Sequence, residues 1–186
     1  MTEKISEKML NGVDVQQVED AITLFEDKPK MATFKFRIYN KWVNGGHNHS
    51  SVKDFFGVDE EHPHPTTFEV DSDEPTVLAG TEKAANPTEY LLHAMAGCMT
   101  STLVYHAAVR GIKIDELESH LEGDIDLRGF MGLSDKVRKG FENIRMNFKV
   151  KTDAENLEKL KELSKFSPVF DSVSRGTNVD VQIEGK

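Results

Sequence analysis

The sequence predicts an α+β fold in which three strands, a long helix, two strands, two helices and a last strand follow one another, preceded by an extra N-terminal helix. Three observations support this prediction. Apolar residues alternate with polar ones in several short runs, as they do in half-buried strands. Between these runs, apolar residues recur at the spacing of an amphipathic helix. Proline, glycine and asparagine stand where one spacing changes to the other.

The N-terminal segment predicts a short amphipathic helix over residues 14–27. Asp14 can cap this helix and Pro29 can stop it. Four apolar residues with helical spacing lie between them: Val15, Val18, Ile22 and Phe25. We interpret this helix as part of an appendage, residues 1–32, to a single domain at residues 33–186.

Strand periodicity begins at Thr33 and predicts a three-stranded meander. The turn residues Asn44-Gly45-Gly46 end the first strand, so we expect a hairpin with a return strand at about residues 47–56. A loop rich in proline and histidine at residues 61–65 then leads to a third strand at residues 66–70.

A long helix is predicted from Asn86-Pro87, a favoured helix start, to Arg110, where Gly111 ends it. Its middle is rich in small residues, which let another backbone or helix come close, so a buried central position is expected. These small residues are Ala94, Ala96, Gly97, Cys98, Ser101 and Thr102.

The C-terminal half is predicted to hold two more strands, two helices and a last strand. Alternating apolar residues run over 117–127 and 144–150, on either side of a loop at 128–140. One helix carries Leu157 to Phe166, and a second begins at Ser167-Pro168. The last strand is predicted from Val179, Val181 and Ile183.

Composition and charge exclude several classes of protein. With 32 acidic against 23 basic residues and a formal charge of -9, the surface repels phosphate backbones, so nucleic acid is not an expected partner. No apolar stretch predicts a signal peptide or a membrane span, so a soluble cytoplasmic protein is expected. The one cysteine cannot form a disulfide within the chain, which fits a reducing compartment.

Three motifs resemble those of the OsmC/Ohr family. A helix start of the form Asn-Pro-x-Glu stands at residues 86–89, Cys98 lies nine positions beyond the glutamate, and Pro168-Val169 follows Ser167. Together with the element order, the resemblance covers about residues 33–184. It implies an OsmC-like homodimer of two intertwined chains, with long central helices packed against mixed sheets and a reactive cysteine at each of two interface sites.

The resemblance also implies roles for single residues. In the family, a cysteine reduces organic hydroperoxides with help from a glutamate and an arginine. The resemblance gives the role of that cysteine to Cys98 and the role of that glutamate to Glu89. The family's second cysteine, which forms a disulfide with the first, is replaced here by Ser167, so an external small thiol or dithiol would act instead. No arginine stands near the first predicted turn, so His47, Arg37 or neither takes the place of the family's arginine.

Simpler interpretations of Cys98 and Glu89 stay open. Peroxide is attacked by a thiolate, which a cation or N–H donors must stabilise, whereas a cysteine kept for packing needs neither. Nine residues on a continuous helix turn through about 900°, so Glu89 and Cys98 face opposite sides unless the helix breaks near Gly97 or its first turn is irregular. Glu89 can instead cap the helix together with Asn86.

Serine before proline is a favoured helix cap, so capping is the preferred interpretation of Ser167. Two His-x-His pairs offer a different chemistry, because residues two apart on a strand share a face and can bind one metal ion together. The pairs are His47/His49 and His62/His64. No carboxylate has clear ligand spacing, so no metal and no cofactor is expected, and metal-dependent chemistry is kept only as an alternative.

The preferred hypothesis is a thiol-dependent reductase of organic hydroperoxides, an enzyme of oxidative-stress defence, in which Cys98 forms a sulfenic acid that an external thiol reduces. The organic part of the substrate is expected to lie in an apolar pocket at the dimer interface. The predicted substrate-binding residues are Met95, Met99, Phe170 and Ser167. The alternative is a non-catalytic dimer that binds an apolar small molecule at that interface, with Cys98 kept for packing.

Overall fold

The computed structural model describes residues 8–185 and confirms the predicted α+β fold. The described residues cluster into two compact units. Of these residues, the first unit comprises 8–9 and Asp14–Leu91, and the second comprises Leu10–Val13 and 92–185. The division of the chain into an N-terminal appendage, residues 1–32, and a single domain, residues 33–186, stays a prediction.

The described chain begins with a short hairpin that was not predicted. Strands β1, Met9–Leu10, and β2, Val13–Asp14, pair with each other. The Asn11-Gly12 turn between them has φ angles of 54° and 78°, and two-residue hairpin turns require such positive values. In the second unit, the Asn11 amide donates to the Ile112 carbonyl and accepts from the Ile114 N–H, both at 2.9 Å.

The predicted N-terminal helix is confirmed as α1, Val15–Asp27. Asp14 caps it, since its carboxylate accepts a hydrogen bond of 3.1 Å from the Gln17 N–H. A 3-10 turn at Pro29–Ala32 follows and ends the helical segment.

The first unit contains a four-stranded antiparallel sheet built around one long strand, β5. Its strands are β3 (Lys35–Phe36), β4 (Tyr39–Asn44), β5 (His47–Gly57) and β6 (Glu60–Ser72). β3 and β4 pair with one edge of β5, and β6 pairs with the other. The predicted hairpin is confirmed, because Asn44 pairs with His47 and Gly45 turns the chain with a φ of 56°.

The loop predicted at residues 61–65 is wrong, because β6 runs through it. Pro63 pairs with Asp54, and the chain turns earlier, at Val58-Asp59, where φ is 50° and 64°. The register shifts between Pro63 and Phe68, so the second proline lies in an irregular stretch. Within residues 8–185, β6 pairs along one edge only, and prolines are tolerated at such edges and bulges because no ladder hydrogen bond is lost.

The long helix is confirmed as α2, which spans Pro87–Ala108 without interruption. The break considered near Gly97 is therefore absent. Asn86 caps the helix, because its side-chain oxygen accepts from the Thr88 N–H at 2.8 Å and from the Thr88 hydroxyl at 2.6 Å. Neither α2 nor any other helix of residues 8–185 combines the length and apolar composition that crossing a bilayer requires. The buried stripe of α2 is Met95, Met99, Leu103, Ala107 and Ala108.

The second unit contains an antiparallel strand pair and three short helices beside its part of α2. The pair is β7 (Glu116–Asp124) with β8 (Asn143–Lys151), and the helices are α3 (Leu127–Phe130), α4 (Leu157–Leu163) and α5 (Pro168–Arg175). Inward and outward positions alternate along both strands, and the outward face pairs opposite charges, such as Glu118 with Lys149 at 3.1 Å. The core of this unit is Leu103, Ala107, Ile112, Leu160 and Leu163.

The last predicted strand does not form in the described chain. Its apolar residues Val179, Val181 and Ile183 are 78%, 73% and 94% exposed and belong to no strand. Their alternation suits a strand, but a strand also needs the edge of a neighbouring strand to pair with. No strand of residues 8–185 supplies that edge to this segment, so the β7/β8 pair has two members only.

Candidate functional site

The structure brings two of the predicted site residues, Cys98 and Ser167, into direct contact. Cys98 lies in the middle of α2 with a partly buried free thiol, and Ser167 is fully buried, with no exposed surface. The Ser167 hydroxyl donates to the Cys98 sulfur at 3.2 Å. This is the only side-chain hydrogen bond that the sulfur receives within residues 8–185.

Ser167 holds its position because it is the N-cap of α5. Its Oγ accepts a hydrogen bond of 3.2 Å from the Phe170 N–H, and Pro168 occupies the first helical position. Capping was the preferred interpretation of this serine, and it is confirmed. The hydroxyl has a lone pair for the helix and a proton for the sulfur, so capping and contact with Cys98 coexist. The sulfur consequently lies beside the N-terminal end of α5, where the helix dipole is positive.

The residue before Ser167 belongs to an aromatic and basic group. The ring of Phe166, the residue before it, stacks on His106 with 4.8 Å between centroids. Burial, and then the charge of Arg110, lower the pKa of His106, which favours the neutral imidazole. The Arg110 guanidinium lies 3.0 Å from His106 Nδ1 and donates to the His106 carbonyl at 3.1 Å.

Glu89 has the capping contact that the sequence allowed. Its carboxylate accepts a hydrogen bond of 2.8 Å from the Asn86 N–H, which completes a capping box at the start of α2. Because α2 is continuous, the nine residues between Glu89 and Cys98 correspond to about 900°, and the two side chains project from opposite sides of the helix. A catalytic role for Glu89 stays a prediction.

His47 belongs to the first unit, where it shares a carboxylate with His49. His47 Nε2 lies 2.8 Å and His49 Nδ1 3.2 Å from the same oxygen of Asp71. These two contacts, in that order, lower the pKa of Asp71. The other ring nitrogen of His47 is buried and has no hydrogen-bond partner among the described residues. The assignment of His47 as the counterpart of the family's arginine stays a prediction.

The other residues considered in the first unit are also engaged. His62 stacks on Phe55 at 4.9 Å, and the ring of His64 lies 5.4 Å from Phe55. Arg37 forms ion pairs of 2.7 Å with Asp54 and Glu61, and the hydrogen bonds to Glu61 and then Asp54 raise its pKa. Residues 8–185 contain no group of three or more histidine, cysteine, aspartate or glutamate side chains placed to hold a metal ion.

An apolar cavity of about 380 Å³, the α2/α4 cavity, lies beside α2, α4 and β8 in the second unit. Of the predicted substrate-binding residues, Met99 lines it. Met95, which is 6% exposed, belongs to the same buried stripe of α2. Phe170 is partly buried, and its N–H donates to the Ser167 hydroxyl. The cavity is lined by Met99, Leu103, Met146, Asn147, Phe148, Val150, Leu157, Leu160, Lys161 and Ser164.

Comparison with models of protein families shows to which family the chain belongs. Residues 80–182, which contain both Cys98 and Ser167, match the model of a family described as OsmC-like protein. The chain belongs to the OsmC-like protein family. No match was found among curated proteins.

Solved structures resemble the fold of this OsmC-like protein at low sequence identity. An OsmC-like protein from Mycoplasma pneumoniae is 17% identical, with a TM-score of 0.56 over 75% of this chain and 87% of that one. An organic hydroperoxide resistance protein OsmC from Legionella pneumophila is 17% identical, with a TM-score of 0.52 over 74% and 89%. An OsmC-like protein of unknown function from Vibrio cholerae is 12% identical, with a TM-score of 0.54 over 74% and 92%.

Sequence reasoning missed two features of this OsmC-like protein. The first is the contact of Ser167 with Cys98, because the two residues are 69 positions apart and no local pattern joins them. The second is the α2/α4 cavity, for which the sequence offered one signal. Met95, Met99 and Leu103 recur every four residues and therefore share a face of α2, as the burial of all three confirms.

Proposed function

We propose that this OsmC-like protein is a thiol-dependent reductase of organic hydroperoxides and that Cys98 is its nucleophile. The hydrogen bond of 3.2 Å from the buried Ser167 hydroxyl to the Cys98 sulfur is the main support for this proposal. Peroxide is attacked by the thiolate, and a hydrogen-bond donor fixed beside sulfur favours the charged form. The positive end of the α5 dipole acts in the same direction. A cysteine kept only for packing needs neither feature.

The reaction balances with one external reductant. The Cys98 thiolate attacks an oxygen of the hydroperoxide, an S–O bond forms, the O–O bond breaks, and the alkoxide takes up a proton and leaves as an alcohol. The sulfur loses two electrons and the hydroperoxide gains them. A small thiol then attacks the sulfenic acid and releases water, and a second thiol frees Cys98 as a disulfide of the two small thiols leaves. An external thiol or dithiol is needed because the chain has one cysteine.

We further propose that the active form is a cytoplasmic homodimer. Both units expose apolar side chains that a second copy would cover, among them Phe36 and Trp42 in the first unit, 77% and 68% exposed, and Val181 in the second, 73% exposed. In such an assembly Glu89 would assist Cys98 as the family's glutamate does, and either His47 or Arg37 would take the place of the family's arginine. Met95, Met99 and Phe170 would meet the organic part of the substrate. The name of the Legionella protein supports the same substrate class.

The test is the reaction of the native protein with cumene hydroperoxide, with hydrogen peroxide beside it. Intact mass after addition of a sulfenic-acid trap should show one adduct per chain, formed faster with the organic substrate, and dithiothreitol should sustain turnover. Cys98→Ser should abolish both while circular dichroism stays unchanged, and Ser174→Ala, a change in α5 away from the sulfur, should abolish neither. If Cys98 reacts no faster than a free small thiol, the peroxidase proposal is wrong and the non-catalytic alternative is favoured.

A further inference from the structure

The α2/α4 cavity has an apolar interior that extends to the core of the second unit. Leu103 and Leu160 at its base belong to the core and are 2% and 3% exposed, and Met99 is 6% exposed. Its volume of about 380 Å³ lies within the range of small-molecule sites, which is about 300 to 1,000 Å³. Such a lining offers water few hydrogen bonds, so displacement of water by a hydrocarbon chain is favourable.

The polar groups of the cavity are few and lie towards solvent. Asn147 and Lys161 are exposed, and Ser164 is partly buried. Lys161 is the only charged residue of the lining. Within residues 8–185 its ammonium group forms no ion pair: the neighbouring carboxylate, Glu162, is paired with Lys165 at 2.7 Å, and the charge of Lys161 adds only a smaller contribution to the lowered pKa of Glu162. A cation with no ion pair of its own, at the edge of an apolar cavity in a chain of charge -9, is complementary to an anion with an apolar body.

We propose that the α2/α4 cavity binds a linear aliphatic carboxylate. The hydrocarbon chain lies between Met99 and Leu160, and the carboxylate accepts a hydrogen bond from the Lys161 ammonium. Met99 and Met146 suit this ligand class because the unbranched methionine side chain adapts to chains of different length. Neither Cys98 nor Ser167 lines the cavity, so this binding does not require the Cys98 thiol, although Met99 is shared with the proposed substrate-binding residues.

The experiment is a calorimetric titration of the full chain with decanoate, with decyltrimethylammonium as a probe of equal chain length and opposite charge. Decanoate should bind with a stoichiometry of one, and the cationic probe should bind more weakly. Lys161→Glu should weaken decanoate binding about tenfold and remove the preference for the anion, because an attraction becomes a repulsion. The matched control Lys159→Glu changes the same charge on the same helix outside the cavity and should bind decanoate like the wild type.

The position of the ligand is tested separately with methyl-labelled methionine. Decanoate should shift the methyl resonances of Met99 and Met146 and leave that of the exposed Met131 in place. Equal decanoate affinity in the Lys161→Glu and Lys159→Glu variants would overturn the proposal, and so would shifts confined to other methionines. Loss of decanoate binding as protein concentration rises and the chain self-associates would also overturn it, since a second copy would then occupy the cavity. Cys98→Ser should bind decanoate normally, which separates this result from a failure of the reductase proposal.

Discussion

Replacement of Ser167 by cysteine tests the contact on which the proposed function depends. The Ser167 oxygen lies 3.2 Å from the Cys98 sulfur, and a disulfide joins its sulfurs at about 2.05 Å. The longer C–S bond of a cysteine brings its sulfur closer, so a small side-chain rotation closes the difference. We therefore expect Ser167→Cys to form a disulfide within the chain on mild oxidation, without the movement of an element.

The expected gain in stability follows from the length of the closed loop. The two positions are 69 residues apart, and closing a loop of that length stabilises a protein by about 4 kcal/mol in the chain-entropy description. Cysteine is a poorer helix cap than serine, which costs about 1 kcal/mol at the start of α5. The oxidised variant should thus be about 4 kcal/mol more stable than its reduced form and about 3 kcal/mol more stable than the wild type.

The assay is urea unfolding followed by circular dichroism, because the single tryptophan lies in the other unit and does not report on α5. Loss of two mass units per chain, without a covalent dimer, shows the intended disulfide. Ser174→Cys is the matched control, since this serine lies on α5 and donates to the Phe170 carbonyl at 2.7 Å instead of contacting Cys98. Ser167→Cys that oxidises no more readily than this control would refute the geometry of the site.

Three further predictions concern the sulfur, a buried carboxylate and the C-terminal segment. Ser167→Ala should slow the reaction of Cys98 with cumene hydroperoxide about tenfold, since a hydrogen bond to a charged group contributes about 1.5 kcal/mol or more, while Ser167→Thr should keep the rate. Hydrogen bonds from a threonine hydroxyl, then from backbone N–H groups, lower the pKa of Asp73 to about 2, so the stability it contributes is complete above pH 4 and is lost as the pH falls towards 2. Asp73→Asn should remove that part of the acid sensitivity in urea unfolding at pH 5 and pH 2.5. Val181→Asp should convert the proposed dimer to a monomer in sedimentation, whereas Asp180→Ala should not.

Each of these predictions has an outcome that contradicts it. An unchanged peroxide rate in Ser167→Ala, with only the stability reduced, means that the serine is a cap and nothing more. An equal loss of stability between pH 5 and pH 2.5 in Asp73→Asn and the wild type means that other carboxylates govern acid unfolding. If Val181→Asp sediments like the wild type, the C-terminal segment does not contribute to self-association.

Local patterns were sufficient for the elements whose ends are fixed by their own residues. The helix α1 begins after Asp14 and α5 begins after Ser167, as the capping side chains predict. The prediction of a loop at residues 61–65 was wrong for a physical reason. Prolines exclude a central strand but not an edge strand, and the sequence does not say which strand lies at the edge. The last strand failed likewise, because pairing depends on a neighbour that residues 8–185 do not supply.

The site shows the same limit at the level of single residues. The family motifs selected Cys98, but the partner of its sulfur is set by how α5 packs against α2, which no local spacing encodes. For Glu89 the local argument was the better guide, since the capping box predicted from Asn86 is present and the break in the helix is absent.

A serine at position 167 changes what the proposed reductase demands of its reductant. The hydroxyl can donate to a sulfenate on Cys98, but it cannot displace the oxygen and form a second covalent bond to sulfur, so each oxidised sulfur waits for a thiol from solution. That thiol must reach an atom that α2 and α5 partly bury. A small thiol meets this requirement more easily than a thiol held in the active site of another protein. We therefore expect turnover with a small monothiol or dithiol to exceed turnover with a protein dithiol at equal thiol concentration.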